Sequence, residues 1–306
     1  MANAAPVPRT VEEVADGIRR RVTQFTLSNR GGYLSQACSS AEIFAALYGE
    51  LLRLGPSAAP LVPPPFTGVP GRNPAYATGA AYNGPKGPDL DRFFLSPVQY
   101  ALVLYATLVE VGRMAPEGLA MFNQDGGTVE MIGAEHSPGH ELMAGSLGQA
   151  LSQVIGVALA RRLRGDTGKN WVFMSDGEMM IGQTWEAFET LAHYALDNVV
   201  VVVDANGQSA DGAIGDVMTT EPLGARLTAF GASVAEVDGH DVSALVAAAR
   251  APHPGKARVI VARTDPHRGV DVLAGRAPKL HYVRFTDDRE HAVLADYYAS
   301  KWEADR

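Results

Sequence analysis

Two short segments carry the residue types that a metal–phosphate site needs. Asp176-Gly177 and Asn206-Gly207 each follow an apolar run of strand-forming residues. A carboxylate and an amide oxygen are hard ligands suited to Mg²⁺, which prefers octahedral oxygen coordination and keeps phosphate oxygens in its shell. Gly177 lets a phosphate approach the backbone. The helix expected after it presents unpaired N–H groups and the positive end of its dipole. The same dipeptides also have a plainer reading, because Asp-Gly and Asn-Gly are ordinary turns. Spacing alone does not separate the two.

For both segments to share a crevice, the chain must bring two strand ends to one edge of a sheet. From residue 146 the pattern is regular enough to do so. It predicts a helix over 146–163, a strand over 171–174, a helix over 183–196 and a β-branched strand over 199–203. A strand over 233–237, a helix over 242–249 and a strand over 258–262 follow. Such alternation indicates a doubly wound, mostly parallel α/β sheet with helices on both faces, here as one domain spanning 1–306. Ligands in these sheets bind at the carboxyl ends of the strands, near a switch in strand order. Asp204, Asp238-Gly239-His240 and Arg263-Thr264-Asp265 therefore join Asp176 and Asn206 as residues placed at that edge.

Upstream, 11–27 has helical spacing, with Thr10 and Glu13 as a capping box, and Asn29, Gly31 and Gly32 end it. A second helix is expected over 41–54, a short strand over 92–95 and a helix over 97–111. Residues 55–89 hold nine of the chain's 19 prolines and read as a long surface loop. The mixed charges of 287–306 read as a solvated helix, with Leu294, Tyr297 and Tyr298 available for docking.

Composition narrows the partners. The 306 residues carry a net charge of −8, which argues against a nucleic-acid surface. Cys38 is the single cysteine, so no intrachain disulfide forms and a reducing compartment is expected. The N-terminus lacks a basic start followed by an apolar core, so no secretory signal is expected. Residues 142–160 are uncharged, but Ser146, Gln149, Ser152, Gln153 and three glycines make a buried helix the better reading than a membrane span. The expectation is a soluble, cytoplasmic protein.

Residues 175–212, SDGEMMIGQTWEAFETLAHYALDNVVVVVDANGQSADG, resemble the thiamine-diphosphate signature of transketolases, a GDG followed some thirty residues later by a strand and Asn. The upstream PGHELMAGSLGQALSQVIGVALARR resembles that family's motif around GSLGQG, and EPLGARLTAFG, EVDGHDVSAL and GKARVIVART resemble its later segments. The likeness covers roughly 19–281. It implies thiamine diphosphate and Mg²⁺ as cofactors, with Asp176 and Asn206 ligating the metal by side chain and Gln208 by its main-chain oxygen. Gly177 then lies against the diphosphate, with Glu178 in the same cofactor-binding set. Gly145 and Leu147 line the aminopyrimidine side, and Ala210 lies beside the thiazolium. The catalytic candidates it implies are Glu186 and His281. Glu186 matches a buried glutamate that communicates with a catalytic glutamate of the pyrimidine-binding domain, and His281 falls near a histidine on the diphosphate. Full transketolases are about twice this length, so the resemblance implies a partner chain carrying the pyrimidine domain, in an α₂β₂ assembly.

The substrate side departs from that pattern. Tyr33 and Gln99 stand where the family has histidines, and Gly133-Ala134-Glu135 replaces a further one, with His136 or His140 as substitutes. Ser175 replaces the first glycine of GDG, and Ile181 replaces a glutamate of the network between active sites. Tyr and Gln do not titrate near neutral pH as histidine does, so Tyr33, Gln99 and His136 mark a rewritten substrate site. The expected activity is transfer of a two-carbon ketol or acyl fragment from a ketone donor to an acceptor, in specialised biosynthesis. Two alternatives stand beside it. One is an E1-type α subunit that decarboxylates a 2-oxoacid and hands the acyl group to a carrier; the other is a non-catalytic regulatory subunit. His193, His253, His267 and Cys38 have no constellation around them and read as structural or surface residues.

Overall fold

The computed structural model describes residues 9–68, 78–143 and 145–304. Helix α1 (Val11–Ser28) begins as the sequence predicts, with Thr10 Oγ1 accepting the Glu13 N–H at 3.2 Å and Glu13 Oε2 accepting the Thr10 N–H at 2.8 Å. A two-residue strand β1 (Gly31–Gly32) leads into α2 (Leu34–Ala46), which continues as a π-helical turn, Leu47–Leu51. The second helix thus starts at residue 34, not 41. Its first turns carry Ser35, Gln36, Ser39 and Ser40, which interrupt the apolar spacing yet are buried with hydrogen-bond partners.

The expected loop over 55–89 is irregular where described, apart from a 3₁₀ turn at Gly79–Asn83, and 69–77 lies outside the described residues. Then come β2 (Arg92–Leu95), α3 (Ala101–Glu110), α4 (Pro116–Leu119) and α5 (Ala150–Leu163). The helix expected from 146 begins at residue 150, because Gly145 and Gly148 adopt positive φ (121° and 77°) and keep that stretch in turns. Strand β3 (Asn170–Ser175), helix α6 (Gly182–His193) and strand β4 (Val199–Ala205) follow. A small hairpin of β5 (Gln208–Ser209) and β6 (Gly212–Ala213) leads to α7 (Ile214–Val217) and α8 (Leu223–Ala229). The chain ends through β7 (Ser233–Asp238), α9 (Val242–Arg250), β8 (Arg258–Arg263), β9 (Val283–Arg284) and α10 (Asp288–Trp302).

Five strands form one parallel sheet in the order β2-β3-β4-β8-β7, and β9 pairs antiparallel with β1. Strand β4 is buried along its whole length and divides its valines between two cores. Val200 and Val202 face the layer of α1, α2, α3 and α9, while Val199, Val201 and Val203 face α5, α6 and α8. Each such valine removes apolar surface from water worth about 1.5 kcal/mol or more, which is why a continuous β-branched run reads as a central strand. From β4 the chain crosses to the far edge as β7 and returns through α9 to β8, so strand order reverses between β4 and β8. The register sets Ser175 of β3 beside Asp204 of β4, which brings the two motif-bearing loops together. No described helix is long and apolar enough to cross a membrane.

Candidate cofactor and substrate site

Asp176 opens a 3₁₀ turn at the end of β3 and is 4% exposed. Its Oδ2 accepts the Gly207 N–H at 2.8 Å, which ties the first motif to the second. Burial, and then the charge of Asp204, push its carboxyl up to about 7, with the N–H groups of Gly207 and Gly177 acting against the rise. Asn206 is also buried. Its Nδ2 donates to Tyr100 Oη (3.0 Å), Asp204 Oδ2 (3.2 Å) and Ser39 Oγ (3.4 Å), and its Oδ1 accepts the Gln208 N–H at 2.9 Å.

Asp204 is the hub of this cluster. It is fully buried at the end of β4 and accepts hydrogen bonds from Ser39 (2.5 Å), Tyr100 (2.8 Å), Asn206 and Thr264. Burial raises its pKa and those four donors oppose the shift. The strand-end position marked Asp204 in the sequence, but its role needed the fold. Ser39 and Tyr100 carry no motif at all; they reach it across 165 and 104 residues of chain.

Two buried carboxylates therefore lie side by side without a lysine or arginine partner among the described ion pairs. Arg263, whose charge acts on Asp176, is engaged by Glu221 and Glu236. Buried charges are stable only when paired or bound to metal, so the cluster fits a divalent cation. The described residues hold no group of three His, Cys, Asp or Glu that could bind a metal. A site of one carboxylate, one amide and one main-chain oxygen would complete its shell with phosphate oxygens.

The surrounding residues fit a diphosphate as well. A Cβ added at Gly177 would meet nothing closer than Ser175 Oγ at 4.0 Å, so its backbone is open to an anion. Gln208 Oε1 is buried without a hydrogen-bond partner. Gly145 and the 37%-exposed Leu147 sit on the turns before α5, and Ala210 is exposed at the β5–β6 hairpin. Glu178 is different. It is fully buried, and its carboxylate accepts the N–H groups of Ser175 (3.0 Å) and Gly148 (2.9 Å) and the Ser96 hydroxyl. Its oxygens are directed into the protein, where they bind three segments to one another.

On the substrate side the structure brings some residues together and separates others. The Tyr33 ring packs edge-on against His281 (5.6 Å) and Tyr282 (4.9 Å). His281 is half-buried; burial lowers its pKa and Asp211 acts against that. Tyr33 and Gln99 line one cavity of about 60 Å³, and the residue after Gln99 is the Tyr100 that holds Asn206. His136 is not part of that cavity. Its Nε2 lies 3.0 Å from Glu130 Oε2 and its ring rests on Phe66. His140 is buried, with Nδ1 3.3 Å from the Pro138 carbonyl, and burial pushes it down to about 4. Glu186 is exposed in this chain, not buried as the family position implies, because α6 turns Thr184, Ala187, Phe188 and Leu191 inward. It lines a groove of about 340 Å³ with Ser152 and Gln183, between α5 and α6.

Comparison with known proteins gives the family. Residues 78–265 match the family described as "Transketolase, thiamine diphosphate binding domain". A transketolase family protein, y4mO, of Sinorhizobium fredii is 32% identical over 90% of this chain and 90% of its own length. An apulose-4-phosphate transketolase subunit of Actinobacillus succinogenes is 28% identical, over 92% of this chain and 94% of its own. In fold, the transketolase of Leishmania mexicana superposes with a TM-score of 0.68 at 24% identity, covering 97% of this chain. The chain spans 46% of that longer protein. With the family match covering more than half of the chain, and the paired strand-end loops of Asp176 and Asn206 inside it, this chain belongs to the transketolase family, whose thiamine diphosphate binding domain it carries.

Proposed function

We propose that this chain is the diphosphate-binding subunit of a split, thiamine-diphosphate-dependent transferase, which moves a two-carbon ketol or acyl fragment from a ketone donor to an acceptor. The observation that carries this reading is the cluster in which Asp176 and Asn206 are buried, Asp176 is bound to the Gly207 N–H, and no described lysine or arginine pairs with Asp176 or Asp204. Asp176 and Asn206 hold Mg²⁺ by their side chains and Gln208 by its main-chain oxygen. The open Gly177 backbone receives the diphosphate. Gly145 and Leu147 flank the aminopyrimidine, and Ala210 the thiazolium. When bound, the cofactor supplies the carbanion chemistry at its thiazolium ring. His281, kept neutral near pH 7 by burial, holds a proton for a hydrogen bond to the diphosphate or substrate.

A second polypeptide completes the site. The relative from Actinobacillus succinogenes is named as one subunit of its enzyme and has a matching length, and the solved transketolase is about twice as long. The partner supplies the pyrimidine domain, Glu186 faces it, and the assembly is α₂β₂. The fully buried Cys38 suits a cytoplasmic setting. Relatives named as transketolases do not favour an E1-type or a non-catalytic role.

Calorimetric titration of thiamine diphosphate with Mg²⁺, on the chain alone and with its partner, tests the reading. Tight binding in the complex is expected, weakened at least 100-fold by Asp176→Ala. Failure to bind in both states would overturn the proposal.

A further inference from the structure

The cavity beside His281 bears on what the enzyme accepts. Phe25, Leu102, Phe122 and Met131 supply apolar walls, and no lining residue carries a charge near neutral pH. Arg284 lies over the ring of Tyr282, 5.5 Å from its centroid, and is not a wall. The polar lining groups are partly engaged. Asn29 Nδ2 donates to the Gly31 carbonyl at 2.9 Å, and Asn123 Oδ1 accepts the Met131 N–H at 2.8 Å. The Gln99 amide has no hydrogen bond among the described residues and so works against an apolar occupant.

Size and charge act together here. About 60 Å³ is less than half of the ~150 Å³ of a cavity that holds a benzene ring, room for a group of a few heavy atoms. A phosphate or carboxylate would be without a counter-charge there, and burying an unpaired anion is strongly unfavourable. Tyr33 lines this cavity and also packs against His281, so under the function proposed above the occupant lies toward the substrate end of the cofactor site.

We infer that this cavity selects a substrate with a small, uncharged alkyl group at that end, a methyl or methylene where a sugar substrate has a hydroxymethyl or phosphorylated carbon. This rests on the function proposed above. The alkyl group belongs either to the donated fragment or to the acceptor. Apolar pockets discriminate against an added hydroxyl by ten- to a hundredfold at most, which sets the size of the effect.

The test uses the two-subunit enzyme loaded with thiamine diphosphate and Mg²⁺. One donor pair is pyruvate against hydroxypyruvate; each loses CO₂ while its carbonyl carbon bonds to the aldehyde carbon, giving a hydroxyketone. One acceptor pair is propanal against glycolaldehyde. The alkyl member of at least one pair should have a kcat/KM ten- to a hundredfold higher, and the pair that shows it identifies the source of the group. Tyr33→His should bring that ratio to within about threefold of unity, and Gln99→Leu should raise it. Hydroxylated members preferred in both pairs, ratios unmoved by both variants, or cofactor bound with no turnover of any probe would each overturn the inference. Absence of cofactor binding would instead remove the proposed function, and this inference with it.

Discussion

Asp204 decides the shape of the site through the donors that surround it. Tyr100→Phe would remove the hydroxyl shared by Asp204 and Asn206, leaving the buried carboxylate with three of its four donors. Losing a hydrogen bond to a buried charge costs about 1.5–3 kcal/mol. The variant should therefore melt at lower temperature and bind thiamine diphosphate with Mg²⁺ three- to tenfold more weakly. Unchanged affinity would show that Asn206 keeps its orientation without Tyr100. Glu42 gives a separate expectation in pH. Burial alone would raise its pKa from 4.5, but hydrogen bonds from His240 and Arg19 outweigh it and hold the carboxyl at about 2. Because the folded value lies below the unfolded one, this stabilisation is present above about pH 4.5 and is lost as pH falls toward 2. Glu42→Gln should cost on the order of 3 kcal/mol at pH 7, and its denaturation midpoints should converge with those of the parent chain as pH falls through that window. A constant offset from pH 7 to pH 2 would rule the linkage out.

The elements were legible where burial is uniform and illegible where polar groups are buried with distant partners. Strands β3, β4 and β8 stand out as apolar runs because both faces of the sheet are covered. The beginning of α2 does not, since Ser35 and Ser39 satisfy themselves on Leu280 and Asp204, contacts that no local pattern announces. The same contrast holds in the site. Asp176 and Asn206 were readable from their strand-end positions, whereas the outward face of Glu186 and the inward carboxylate of Glu178 emerged only from packing. The turns before α5 offer a test of how tightly these elements are fitted. Gly148 has φ 77°, its N–H donates to Glu178, and a Cβ there would come within 2.9 Å of Ile181 and Thr184. Gly207 has φ 68° but open space around it. Gly207→Ala should carry the left-handed backbone penalty alone, about 1–2 kcal/mol. Gly148→Ala should add steric displacement and cost distinctly more by chemical denaturation. Equal losses at the two positions would mean the turn before α5 is free to shift.

At the scale of the whole molecule, three exposed apolar side chains, Ile132, Met143 and Leu147, lie on the loops before α5, where the partner proposed above would complete the site. Ile132 (59% exposed) lies against Gly145, between Met143 (62%) and Leu147 (37%) in sequence, and all belong to the loops that precede α5. Large exposed apolar groups on adjoining loops mark interaction surfaces more often than they occur by chance. The groove containing Glu186 lies between α5 and α6, and α5 follows directly on the loop that holds Leu147. A stable interface needs about 1,000 Å² or more of buried surface, with apolar anchors at its centre. Met143→Asp and Ile132→Asp should therefore weaken assembly with the proposed partner chain at least tenfold in analytical ultracentrifugation. The melting temperature of the isolated chain should stay nearly constant, because neither side chain is part of a core. Hydrogen exchange in the complex should slow in α5 and α6 but not in α10, whose outer face lies away from these loops in sequence and carries charged residues. Assembly that survives both substitutions, with protection appearing on α10 instead, would move the partner to the other side of the sheet. It would also leave the Asp176–Asn206 site without the second domain that the proposed chemistry requires.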